Sequence, residues 1–141
     1  MRDRLQHRGP DHGGSWSSSD GLVALGHRRL AIVDLAPESN QPFVSSDGRY
    51  VLTFNGEIYN FRDLRKELCA LGSRFRTQSD TEVLVEAFRH WDEDCLSRLS
   101  GMFAFAVWDN DRRRFSALAT APGRSRFTTP RREARFCSLP R

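Results

Sequence analysis

The chain has 141 residues, with 22 Lys and Arg against 18 Asp and Glu, a net charge of +4 and 38% apolar residues. That length suits one domain with a buried core, and no apolar run reaches the ~18 residues of a membrane-span candidate. No apolar leader pattern follows Met1, and Cys69, Cys95 and Cys137 are an odd set without metal-ligand spacing, so a cytoplasmic chain with reduced thiols and no metal is expected.

Met1 to Ser19 is polar and rich in Gly and Ser, with Trp16 as its one large apolar residue, and reads as loop. His7 and Arg8 within it read as solvated side chains that border a site at most. Gly21 to Val33 is strand-like around a polar centre, His27-Arg28-Arg29. An arginine in an apolar strand is costly unless paired. Its fork suits a carboxylate, either an internal one or a bound one. Asp34 to Gly48 reads as loop, with Asp47-Gly48 as a hairpin turn into a strand from Arg49 to Phe54.

That strand leads into Asn55-Gly56-Glu57-Ile58-Tyr59-Asn60, where the spacing predicts a sharp turn and then a helix. An amide NH₂ beside a glycine N–H offers two donors to one oxygen, as an oxyanion hole requires. The same residues also make an ordinary strand end and helix cap.

Asn60 to Gly72 is predicted as an amphipathic helix, with Phe61, Leu64, Leu68 and Leu71 on one face and Cys69 near it. Asn60 is its expected N-cap and Gly72 its expected C′ residue. Ser79 and Glu82 have capping-box spacing at the start of a second helix, whose buried stripe is Leu84, Ala87, Phe88 and Trp91. Asp80, in its first turn, suits the helix dipole. Asp92 to Ser100 is a short third helix with Cys95, Leu96 and Leu99 inward. Met102 to Trp108 reads as a strand buried on both faces, followed by a turn at Asp109–Arg112.

The positive charge is not spread evenly. Residues 1–114 hold 16 Lys and Arg against 17 Asp and Glu, whereas residues 115–141 hold six Arg and one Glu. A basic tail can attract nucleic acid non-specifically, but no nucleic-acid motif accompanies it, so no specific nucleic-acid partner is expected.

Six blocks occur in a telling order: His7-Arg8-Gly9-Pro10-Asp11, Gly26 through Asp34, Asn40-Gln41-Pro42, Asn55 through Asn60, Ser79 through Val83, and Gly101 through Asp109. Together, over about Leu5 to Arg114, they resemble the glutaminase domain of glutamine-hydrolysing asparagine synthetases, a class II (N-terminal-nucleophile) glutamine amidotransferase. The resemblance implies an α+β fold, an αββα sandwich left incomplete because residues 1–114 lack its first strand. It implies L-glutamine as substrate. Arg29 would hold the α-carboxylate, the backbone of Leu30, Ala31, Ile32 and Val33 would line the pocket, Asp80 would accept the α-amino group, and Glu57 would join Arg29 and Asp80 in holding the two ends of the zwitterion. Asn55 and Gly56 would stabilise the oxyanion. ATP and Mg belong to the family's synthetase domain, which this chain lacks, so no cofactor is expected here.

Two departures qualify the resemblance. The family's nucleophile is an N-terminal cysteine whose own α-amine is the base, but this chain opens Met1-Arg2-Asp3-Arg4 and has no cysteine before Cys69. A catalytically incomplete glutaminase is therefore expected, with a non-catalytic glutamine-binding module as the alternative. From Phe115 the wording also leaves the family's. Read one frame over, GC-rich codons for this run permit Leu-Gly-Ala-Arg-Asp-Arg-Ala-Gly-Ser-Lys-Pro-Leu-Tyr-Tyr-Ala, which restores it. Residues 115–141 are accordingly expected to be an out-of-frame, disordered basic tail.

Overall fold

The structure is a computed structural model that describes residues 12–29 and 40–120. Its elements are β1 (His12–Ser17), β2 (Ala24–Arg29), β3 (Phe43–Val44), β4 (Tyr50–Ile58), α1 (Phe61–Ala70), α2 (Asp80–Trp91), a 3-10 helix (Asp92–Arg98), β5 (Gly101–Asp109) and β6 (Arg114–Ala119). All strand pairs are antiparallel, in a two-stranded sheet β1-β2 and a four-stranded sheet β3-β4-β5-β6.

Alternation along the strands sets the layers. On β4, Tyr50, Leu52 and Phe54 join Phe103, Phe105 and Val107 of β5 and Leu118 of β6 against Leu64 and Leu68 of α1 and Leu84, Ala87 and Phe88 of α2. The intervening residues face the other way. Val51 and Trp108 meet Val23 and Leu25, with Trp16 and Phe115 packed alongside. The order is helices, four-stranded sheet, two-stranded sheet. Each fully buried Leu or Phe contributes roughly 1.5–3 kcal/mol, so the helix-side cluster dominates stability.

Helix α2 starts where the sequence places it, and Ser79 Oγ accepts the Glu82 N–H at 3.2 Å. The reciprocal half of the capping box is not made. Glu82, 3% exposed, instead accepts the Thr77 N–H and hydroxyl at 2.7 Å each and the Arg76 N–H at 2.9 Å. Its carboxylate thereby holds the loop that leads into the helix. In α1, Gly72 (φ 97°) is the C′ residue as expected. The Gly72 N–H reaches Cys69 O and the Ser73 N–H reaches Leu68 O, closing the last turn. Cys95, Leu96 and Leu99 are buried as the pattern implied, and Asp109–Arg114 closes a hairpin between β5 and β6.

Several expectations change. Met1–Ser19 is not loop throughout, because His12–Ser17 form β1 in register with β2; the pairing partner overrides the poor strand propensity of Gly and Ser. Asn60 does not cap α1 with its side chain. Its Nδ2 donates to Arg98 O and its Oδ1 accepts the Ser100 N–H, tying α1 to the entry of β5. Leu71 and Cys69 are exposed, beyond the stripe that Leu64 and Leu68 complete. β5 is central, yet only one of its faces is fully covered: Met102 is 65% exposed and Ala104 is also open.

The first residues expected in a disordered tail are strand. Phe115–Ala119 belong to β6, with Leu118 buried and Ser116 Oγ donating to Glu93. Alternation of small and apolar residues is enough for this run to pair with β5. Residues from 121 onward, Cys137 among them, lie outside the described residues, as do His7 and Arg8.

Candidate functional site

The stretch Asn55-Gly56-Glu57 was expected at a turn. It lies inside β4, paired with Ala104, Phe103 and Met102, and the turn comes later at Tyr59–Asn60. Gly56 makes this pairing possible. Its φ is 130°, and a Cβ there would lie 2.1 Å from Met102 O and 2.6 Å from Phe103 Cα. Only glycine tolerates both the backbone angle and the approach.

Asn55 points away from the helices and lines a cleft of about 660 Å³. The floor of this cleft is Thr53, Ala104, Ala106, Ala117 and Ala119, and Gly26 and His27 of β2 stand on its other side. Asn55, Gly56 and Glu57 are all exposed at the end of the strand. An exposed amide side chain and the exposed backbone of the next residue therefore lie side by side here.

Asp80 is brought to the same place from α2. It is 7% exposed, and its Oδ2 accepts the Ile58 N–H at 3.3 Å. Burial raises its carboxyl above the ordinary value of 3.8, and the neighbouring Glu57 carboxylate pushes it further up. One desolvated carboxylate and one exposed carboxylate therefore stand near each other where α2 meets the end of β4. Asn55, Gly56 and Glu57 of β4 thus lie beside Asp80 of α2.

Arg29 ends β2, opposite His12 in register. Its side chain and the residues Leu30, Ala31, Ile32 and Val33 lie outside the described residues. The sequence reading missed Gln41 and Thr81. Gln41 Oε1 accepts the Phe54 N–H at 2.6 Å, and its Nε2 donates to Thr81 Oγ1 at 3.4 Å. Beyond its place in a block, Gln41 carries no local signal, because its partners lie 13 and 40 positions away.

Neither described cysteine lines the cleft. Cys95 is packed in the core, and burial, with Asp92, Asp94 and Glu93 nearby, pushes its thiol up to about 12. Cys69 is exposed on α1. Among the described residues no cluster could hold a metal ion, and no helix is long and apolar enough to cross a membrane.

Comparison with known proteins identifies the family and the fold. The chain is 46% identical over 114 residues to a glutamine-hydrolyzing asparagine synthetase of Bacillus subtilis, covering 79% of this chain and 18% of the relative. It is 46% identical over 113 residues to a putative glutamine-hydrolyzing asparagine synthetase of Mycobacterium bovis, covering 74% of this chain and 17% of the relative. The chain thus spans about a fifth of the length of the curated relatives it matches. Among solved structures, the glutamine phosphoribosylpyrophosphate amidotransferase of B. subtilis, complexed with ADP and GMP, superposes with a TM-score of 0.51 at 33% identity, over 62% of this chain and 21% of that one. The α+β arrangement is accordingly that of the N-terminal-nucleophile amidotransferases. The profile of the glutamine amidotransferase domain matches residues 1–121, and the chain belongs to that family.

Proposed function

We propose that this chain is the glutamine-recognising domain of an asparagine synthetase, and that L-glutamine binds at the end of β4. The single observation behind this reading is the convergence there of Asn55 and Gly56 with the buried Asp80 beside Glu57. In this reading Asp80 and Glu57 take the α-ammonium, and Arg29, with the backbone of Leu30 to Val33, takes the α-carboxylate. The carboxamide oxygen lies against the Asn55 amide and the Gly56 N–H. As that carbon becomes tetrahedral, both donors strengthen on the developing charge; one such donor is worth about 3–4 kcal/mol in a transition state. The ammonia released would amidate aspartate to asparagine, with ATP and Mg used in a separate synthetase domain.

Attack on the carboxamide requires a thiolate beside Asn55. Cys95 is protonated and enclosed in the core, and Cys69 is on another surface. Neither described cysteine can supply that thiolate, and in this reading the residues of the chain as given bind glutamine without hydrolysing it. Titration calorimetry of the full chain tests this. Saturable glutamine binding that Asn55→Ala and Arg29→Ala both weaken, with no ammonia released, is the expected result. Absence of binding at millimolar glutamine would remove the assignment. We carry the reading-frame change near Phe115 as part of this proposal, because the alternative frame restores the family's wording; resequencing the gene through codons 110–125 against its relatives decides it.

A further inference from the structure

The outer edge of β4 is ordered by side chains. Alternate N–H groups of a strand point to the same edge. The Tyr50 N–H points to the β3 side, where it meets Ser45 Oγ at 2.9 Å, and β3 then pairs with β4 only at Leu52 and Val51. Beyond Leu52 the same edge presents the N–H groups of Phe54, Gly56 and Ile58. Phe54 N–H is taken by Gln41 Oε1 and Ile58 N–H by Asp80 Oδ2, both from buried residues. Gly56 N–H holds the position between them and meets no side-chain acceptor among the described residues.

From this pattern we infer that Gln41 is a positioning residue of the glutamine site: its side-chain amide replaces strand pairing at Phe54 and keeps the Gly56 N–H open to the ligand. The inference rests on the glutamine-binding reading above. If β3 continued as a strand, its backbone would pass along this edge and cover Gly56. The β3 pairing instead ends at Phe43, and the Gln41 side-chain oxygen reaches Phe54 in place of a carbonyl. The other end of the same amide contacts Thr81, which follows Asp80 in α2. One residue therefore links the oxyanion donors on β4 to the ammonium acceptor on α2. Gln41 is itself held from behind. A Cβ on Gly14 of β1 would lie 1.9 Å from Gln41 O, so the two-stranded sheet presses directly on it. Neither Glu nor Leu reproduces the pair of bonds, since Glu lacks the donor and Leu lacks both groups.

The test uses the full chain with L-glutamine as the probe, measured by calorimetry and by NMR amide exchange. Gln41→Met keeps length and removes both hydrogen bonds. It is expected to raise Kd for glutamine about tenfold or more, as loss of one well-made hydrogen bond does, and to expose the Phe54 amide to exchange. Leu96→Ala, a cavity beside the 3-10 helix, serves as the control for general destabilisation and is expected to leave Kd unchanged. A Gln41→Met chain that binds within twofold of wild type overturns the inference, and so does an equal weakening by Leu96→Ala. Should the unsubstituted chain bind no glutamine, the functional reading fails, and the exchange pattern still judges Gln41. Protected Phe54 and Ile58 amides flanking a fast-exchanging Gly56 then uphold only its hold on the strand edge, and a protected Gly56 overturns that as well.

Discussion

Gly56 carries a φ of 130° with backbone of β5 at 2.1 Å from where a Cβ would stand, so strain and overlap act together on any replacement. Gly56→Ala is expected to cost about 2–3 kcal/mol, read as a lower urea midpoint with unchanged slope. Asp80 behaves in the opposite sense. Its carboxyl is raised by burial and by Glu57, so the folded state holds the proton more tightly than the unfolded chain. The resulting stabilisation is present below the ordinary value of 3.8 and is lost as pH rises through the raised folded value. At neutral pH the ionised group is a burden on the fold. Asp80→Asn is therefore expected to raise the thermal midpoint at pH 7 while weakening glutamine binding about tenfold or more, by loss of a charge-assisted contact. In the unsubstituted chain, binding should strengthen as pH rises through the raised Asp80 value; calorimetry across the acid range to neutrality checks the sign. At this scale the sequence proposed Asn55, Gly56, Glu57 and Asp80, and the fold brings these four to the end of β4. It could not show that Asp80 is buried, because that burial comes from β4 and α2 meeting.

At the scale of elements, α2 was the most legible. Its Ser79 cap, acidic first turn and apolar stripe all act locally. The Glu82 carboxylate was misassigned, since it serves the preceding loop and not the Ser79 N–H. Glu82→Ala removes acceptors from the Thr77 N–H, the Thr77 hydroxyl and the Arg76 N–H. With buried donors left bare, a loss of about 3 kcal/mol is expected, together with faster proteolysis of the 73–79 loop. β4 was drawn too short because Asn-Gly is a local turn signal. Pairing with Gly101 through Ala104 outweighs that signal and carries the strand on to Ile58. β1 was missed for the same reason, since Gly and Ser form strand here only because β2 lies alongside.

Across the whole molecule, charge is spent on joining elements. Arg49, at the start of β4, forks onto Asp109 at 2.8 and 3.0 Å, and the Asp109 side chain is only 2% exposed. Arg49→Met leaves that carboxylate buried without its counter-charge, held only by the Asp111 and Arg112 N–H groups, and a loss of about 3 kcal/mol is expected. The Lys66–Asp63 pair is more than 80% exposed at both ends. Lys66→Met is expected to change stability by under about 1 kcal/mol. Denaturant melts of the two variants side by side measure the contrast.

The sequence by itself determined what depends on short range or on wording: the amphipathic α1, the capped start of α2, the apolar β5, the caps that act within one turn, and the blocks that carry the family. Only the tertiary structure decided that Gly56 stays in a strand, that Asp80 is desolvated beside Glu57, and that Gln41 holds an edge 13 residues away. The reason is physical. Propensity and periodicity act over a few residues, whereas strand edges, burial and close backbone approach are set by segments that meet only after the chain has folded.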